Sequence, residues 1–129
     1  MPRIFAFDPG ITTGFAVIED GSILHTRALS LEEVLQKNII VPVIEFLWQE
    51  DTKAIAEQGP GWGRNNAEVI SKVESYLRDT LPYVEWYTPS QWKSTLFKKR
   101  RFELKMSSHE KDAARMGLWF EDRLRRRGA

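Results

Sequence analysis

The sequence contains no cysteine among its 129 residues. This absence excludes a disulfide scaffold, a thiol nucleophile and every cysteine-ligated zinc or iron–sulfur site. Long apolar runs are also missing, because the run that begins at Ile39 ends at Glu45, far short of the roughly 20 apolar residues that span a bilayer. The apolar run before Asp8 is only four residues long, at positions 4–7, which is not typical of a secretory signal. We therefore expect a cytoplasmic protein with no membrane partner.

The chain has little net charge, +1, but its charges are unevenly distributed. From Lys93 onward there are 12 basic and 5 acidic residues, against 7 basic and 13 acidic residues before it. A basic C-terminal quarter that follows an acidic remainder indicates that the C-terminal end of the protein binds a polyanionic partner. A solvated basic helix is the alternative. With 42% hydrophobic and 29% charged residues, residues 1–129 are expected to form a single globular domain.

Apolar runs and turn signals predict a mixed α/β domain. Three strands are expected first, at Arg3–Phe7, Gly14–Glu19 and Ser22–Leu29, with Asp20-Gly21 as a hairpin turn. Capping boxes at Ser30/Glu33 and Ser107/Glu110 predict two helix starts. The other expected features are a kink or restart of the first helix at Pro42, a strand at Lys53–Glu57, a helix at about 65–80, a strand at Tyr83–Tyr87, a short helix from Pro89 to about Phe97, and a basic connector at Lys98–Met106. This order predicts one five-stranded mixed sheet, three antiparallel strands followed by parallel ones, flanked by helices.

Three carboxylates occupy positions that suggest a shared site. Asp8 and Glu57 end two apolar strands, and Asp112 lies near the start of the last helix, three residues after His109. Each alone is more often a cap, a turn former or half of an ion pair. The C-terminal ends of central strands share the edge where α/β sheets place their sites, and a helix docked there presents residues i and i+3 on one face. Oxygen ligands without cysteine favour Mg²⁺, with Mn²⁺ as a substitute, and two ions about 4 Å apart can hold both the attacking and the leaving oxygen of a phosphodiester.

The segments FDPGITTGFAVI, AIAEQ and HEKDAARMGLWF resemble, in this order, the RuvC-type Holliday junction resolvases of the RNase H-like superfamily. The resemblance spans nearly the whole chain. It implies an RNase H-like fold, a homodimer formed largely through the helix at 65–80, and a crossover junction endodeoxyribonuclease that hydrolyses phosphodiesters in four-way DNA junctions with two Mg²⁺ ions. It also implies that Asp8 bridges both ions and that Glu57 holds one. Asp112 and His109 would complete the other side, or His109 would act near the leaving group.

Basic and aromatic residues outside these motifs are candidates for DNA binding. Trp62, in a glycine-rich loop, either stacks on an unpaired base or anchors the loop against the body. Arg64 precedes a helix and can reach a phosphate. The arginines near the C-terminus favour the end of a helix through its dipole and are interpreted as a solvated end. The remaining expected phosphate contacts lie before the last helix and are Lys93, Lys98, Lys99, Arg100, Arg101 and Lys105.

Other functions fit parts of the same pattern. Asp-x-Gly followed by Thr-Thr-Gly and a hairpin also resembles the phosphate loop of the actin, Hsp70 and sugar-kinase superfamily. Those proteins close two domains on a nucleotide, whereas this chain has room for one, so no nucleotide cofactor is expected. Two alternatives stay open: a nuclease of the same fold acting on forks, flaps or other branched DNA, and a branched-DNA-binding protein that does not cut. The chain is shorter than typical bacterial resolvases and resembles a compact viral or mobile-element relative, which would work in the host cytoplasm if viral.

Overall fold

The computed structural model describes residues 2–58 and 67–128. The strands are β1 Ile4–Asp8, β2 Thr12–Glu19, β3 Ser22–Ser30, β4 Lys53–Glu57 and β5 Glu85–Tyr87. The helices are α1 Leu31–Leu35, α2 Lys37–Leu47, α3 Ala67–Thr80, α4 Pro89–Lys93 and α5 Ser108–Arg126, with a 3₁₀ helix at Leu96–Lys99.

The five strands form one mixed sheet in the order β3-β2-β1-β4-β5. β1, β2 and β3 pair antiparallel, and β4 and β5 continue the sheet in parallel with β1. This is the predicted fold class, an α/β sheet of three antiparallel strands followed by parallel ones and flanked by helices. β1 and β4 are central strands covered on both faces, which explains their short runs of consecutive apolar residues.

The sheet separates two apolar cores, because successive side chains of a strand point to opposite faces. Ile4 and Ala6 belong to the core that contains α5. Phe5 and Phe7 belong to the core formed with α1, α2 and α3. Small residues occur where α5 approaches the sheet, among them Ala6, Ala16, Ala113 and Ala114. Gly117 is one of them, since a Cβ there would lie only 2.9 Å from Ile18 Cγ1. Helix α5 therefore packs very close to β1 and β2.

Local signals placed most element boundaries correctly. Asp20 and Gly21 have positive φ angles of 50° and 77°, as a type I′ hairpin turn requires. Both predicted capping boxes are present, with Ser30 and Ser107 as N-cap residues. β2 begins at Thr12, two residues earlier than predicted, because the strand pairing with β3 extends to that residue.

Three further predictions differ from the structure. The first helical segment breaks at Gln36, whose backbone is extended, and α2 continues through Pro42; this break lets α1 and α2 each bury a residue in the same core. β5 begins at Glu85, not at Tyr83. The helix predicted from Pro89 to Phe97 is instead two elements, because the Thr95 hydroxyl caps a separate 3₁₀ turn by accepting a hydrogen bond from the Phe97 N–H. The predicted connector thus starts inside that 3₁₀ helix.

Candidate active site

Asp8 and Glu57 lie side by side at the carboxyl edge of the sheet. They end the neighbouring parallel strands β1 and β4, one residue beyond the paired positions Phe7 and Ala56. Both have the same strand parity as Ile4 and Ile55, so both face α5. Glu57 is only 5% exposed. The register of two apolar strands thus places a pair of carboxylates on one face, as the sequence predicted.

Gly14 brings α5 to the same place. It pairs with Asp8 across β1 and β2, and a Cβ at this position would lie 1.9 Å from the backbone oxygen of His109. The first turn of α5 therefore lies directly on the strand next to Asp8. Asp112 follows one turn later and is close enough to raise the pKa of Asp8 by charge repulsion. The His109 side chain is exposed, and what approaches the sheet is its backbone.

The pKa of Asp8 is raised to about 9. Burial is the largest cause, followed by a hydrogen bond with Glu57, and by repulsion from Glu57 and Asp112. Lys93 opposes these effects and lowers the pKa of Asp8. Crowding of negative charge in a poorly solvated place makes the ionised form of Asp8 costly unless a cation stands nearby.

Two cations already accompany these carboxylates. Lys93 Nζ lies 3.3 Å from Glu57 Oε1, without the geometry of a hydrogen bond. Within residues 2–58 and 67–128, this buried oxygen has no hydrogen-bond partner. Arg115 donates to Asp112 Oδ1 at 3.1 Å and to the backbone oxygen of Arg100 at 2.9 Å. Arg115 was missed by the sequence analysis, although its i,i+3 spacing from Asp112 on a predicted helix was a usable signal.

Asp8 and Glu57 are suited to bind a divalent cation, but a third side-chain ligand is not in place beside them in the described residues. Among residues 2–58 and 67–128, no three His, Asp or Glu side chains stand close enough together to hold a metal ion as they are placed. Asp8 and Glu57 supply hard oxygen ligands and crowded negative charge, and one buried Glu57 oxygen has no hydrogen-bond partner in the described part of the chain. This is the donor chemistry that Mg²⁺ prefers. Asp112 keeps its Oδ1 paired with Arg115 at 3.1 Å. The structure thus brings the two strand carboxylates together, holds Asp112 within electrostatic range, and leaves the His109 side chain outside the pair.

The predicted DNA-binding residues divide into groups. Lys98 and Lys99 line a cleft between the 3₁₀ helix and α5, together with Lys93. Arg100 and Arg101 border a different hollow beside the β2–β3 turn. Lys105 is exposed. Trp62 and Arg64 lie outside the described residues, so the two interpretations of Trp62 stay predictions.

Helix α3, the predicted dimer helix, has its boundary at Ala67, and residues 65 and 66 lie outside the described part. Val73 and Leu77 are fully buried inside the chain, against the sheet. Val69 and Ile70 are half-buried and belong to neither core formed by the described residues. In the described part of the chain, the apolar stripe therefore serves mainly to pack α3 on its own sheet, and its first turn is where apolar surface is left for a second copy.

No protein-family model matches the chain, and no curated protein matches it. Among solved structures it is similar to one titled "Structural Study of the Aquifex aeolicus PPX-GPPA enzyme", with 22% identity and a TM-score of 0.36. The match covers 70% of this chain but only 37% of the chain of the other protein. No helix in the described part of this chain is long and apolar enough to cross a membrane. The assignment of fold class rests on the strand order and pairing, and the likeness to that enzyme carries no argument about function.

Proposed function

We propose that this chain is a Mg²⁺-dependent, structure-selective endodeoxyribonuclease that resolves four-way DNA junctions by paired phosphodiester hydrolysis. The observation that carries the proposal is the pair of carboxylates, Asp8 and Glu57, on adjacent central strands where Gly14 admits the first turn of α5. The motifs that resemble RuvC-type resolvases supply the reaction and the substrate. A basic surface beside the pair supports a nucleic-acid partner.

Asp8 and Glu57 are the residues that would hold the divalent cation, with Asp112 and His109 as candidates for its second side. The bound cation would supply charge stabilisation of the phosphodiester and a more acidic water. Lys93, next to Glu57, is placed to orient a phosphate of the substrate. In the proposed reaction a water oxygen bonds to phosphorus and the bond to the 3′ oxygen breaks. The proton lost by the water is balanced by the one gained at the leaving oxygen, giving 5′-phosphate and 3′-hydroxyl ends.

Paired cuts across a four-way junction require two copies of this domain. By resemblance the second copy would meet the first through α3, where Val69 and Ile70 leave apolar surface at the first turn. Sedimentation equilibrium of the purified protein measures the state directly. A dimer that becomes a monomer on Val69→Asp/Ile70→Asp substitution supports this arrangement, and a dimer unaffected by it places the interface elsewhere. We propose the cytoplasm as the compartment, the host's cytoplasm if the protein is viral.

The deciding experiment is a cleavage panel in Mg²⁺ with a four-way junction, a Y-fork, a flap and a linear duplex. Symmetric paired nicks on the junction support the proposal. Cleavage of the fork or flap alone would select the branched-DNA nuclease, and binding without any cleavage would select the non-cutting protein. Asp8→Asn is the variant to compare, with Asp51→Asn as its control, because Asp51 is an exposed residue in the turn before β4, at the opposite edge of the sheet. Asp8→Asn should bind the junction and not cut it, whereas the control should do both.

A further inference from the structure

A cleft of about 650 Å³ lies between the 3₁₀ helix and the C-terminal half of α5. Five of its lining residues are cations and one is a carboxylate, Asp122. Lys93 comes from the end of α4, and Lys98 and Lys99 come from the 3₁₀ helix. Arg123 and Arg126 come from α5. From the sequence alone, Arg123 and Arg126 are interpreted as part of a solvated helix end. The fold places them across a cleft from the lysines that are predicted to bind phosphate.

The positive charge in this cleft is mostly available to a ligand. Lys98 and Lys99 are exposed. Arg126 pairs with Asp122 at 2.9 Å but is 80% exposed, and such a pair in water is weak. Arg123 lies over the ring of Trp119, with its guanidinium carbon 5.0 Å from the ring centroid, which holds its head at the cleft wall. A concave surface with an excess of one sign of charge attracts oppositely charged ligands more strongly than a flat one.

The cleft is continuous with the candidate active site through one side chain. Lys93 lines the cleft, and its Nζ lies 3.3 Å from Glu57 Oε1. An anion that enters at Lys93 is thus next to the carboxylate pair. Because the other cations are spread over two elements and exposed, their arrangement suits a chain of phosphates better than one small buried anion.

We infer that this cleft binds the sugar-phosphate backbone of the DNA next to the phosphate to be cut, with Arg123 and Arg126 of α5 facing Lys98 and Lys99 across it. The inference rests on the proposed function for its ligand, DNA. It adds a second wall to the DNA-binding surface and assigns a binding role to the end of α5. Such contacts fix the position of the duplex and carry no sequence information.

The test measures binding of a labelled four-way junction and a labelled duplex over a salt series in EDTA, where no cleavage occurs. The variant is Lys99→Ala/Arg126→Ala, which removes one cation from each wall. Its control is Lys53→Ala/Lys72→Ala, which removes the same charge at exposed positions on β4 and α3 away from the cleft. On duplex DNA the slope of log affinity against log salt should fall by about 0.9 for each lost contact, hence by about 2 for the variant. The control should keep the wild-type slope.

Arg126→Ala alone and Asp122→Asn keep the inference testable if the double variant folds poorly. Arg126→Ala should flatten the slope by about 1. Asp122→Asn removes the cleft's carboxylate and should tighten binding, a gain that a misfolded protein does not produce. An unchanged slope for Arg126→Ala, or unchanged affinity for Asp122→Asn, would overturn the assignment of α5. Inorganic pyrophosphate should compete only weakly, and displacement of the junction at micromolar pyrophosphate would identify a small-anion site and also overturn it.

The same measurements separate this inference from the proposed function. If the wild type binds neither DNA, both fail. If it binds with a slope that Arg126→Ala leaves unchanged, the cleft alone fails. If the slope responds as expected but the wild type cuts nothing in Mg²⁺, the nuclease proposal fails and the DNA-binding cleft stands.

Discussion

Gly14→Ala tests whether contact between β2 and α5 positions the active site. A Cβ at this position would lie 1.9 Å from the His109 backbone oxygen and 2.5 Å from its carbonyl carbon. Separations below 3.0 Å are essentially never seen for real Cβ atoms, so the backbone of α5 must move away by about 1 Å or more. The new Cβ is fixed to the backbone of β2, and the atoms it meets belong to the backbone of α5. No change of side-chain rotamer relieves this clash.

The expected result follows from that displacement. Asp112 lies one turn beyond His109, so it moves away from Asp8 together with the helix. A misplacement of about 1 Å can cost about 100-fold in rate, and overpacking costs roughly 1–3 kcal/mol of stability. Single-turnover cleavage of a four-way junction should therefore fall about 100-fold, with junction binding in EDTA little changed.

Gly117→Ala is the matched control on the same helix. Its Cβ would meet Ile18 Cγ1 at 2.9 Å and Ala6 Cβ at 3.3 Å, both of them side-chain atoms, so the helix has to shift by a few tenths of an ångström, less than Gly14→Ala demands. The gain in helix propensity offsets part of the strain. We expect a stability change and near-normal cleavage by the folded protein. Cleavage by Gly14→Ala within about twofold of wild type would refute the role of this contact. Equal losses in both variants would show that stability alone was being measured.

Two other predictions concern carboxylates, the half-buried Asp8 and the buried Glu121. Because the pKa of Asp8 is raised from 3.8 to about 9, the folded chain binds more protons than the unfolded chain between these values, and stability should fall as pH rises through this window. Asp8→Asn should therefore unfold at a higher temperature than wild type at pH 8 without divalent cations. Mg²⁺ should raise the melting temperature of the wild type only. Melting temperatures that depend on pH equally in both proteins, followed by circular dichroism, would contradict this. Glu121 is 2% exposed, and its Oε1 accepts a 2.8 Å hydrogen bond from the Gly21 N–H. Glu121→Ala should cost about 1–3 kcal/mol in chemical denaturation, whereas Asp122→Ala on the next, more exposed position should cost under about 1 kcal/mol; equal costs would mean that the buried bond contributes little.

Much of the fold follows from signals only a few residues long. The alternating and continuous apolar runs located the five strands, Asp20-Gly21 identified the hairpin, and two capping boxes placed the starts of α1 and α5. Each of these signals acts between residues no more than about four apart, so it can be interpreted without the rest of the chain. The sequence did not predict the break at Gln36 or the separate 3₁₀ helix that begins after Thr95, because tertiary packing competes there with the local preference.

For the site, the sequence by itself determined that Asp8 and Glu57 end apolar strands and that Asp112 follows a helix start. Only the tertiary structure decided what surrounds them: the close approach of His109 to Gly14, Lys93 beside Glu57, and Arg115 on Asp112. It also decided that α5 supplies Arg123 and Arg126 to the same cleft as Lys98 and Lys99. The physical reason is that charge and shape act through space, and the packing of α5 on the sheet brings together residues that no local pattern in the sequence connects.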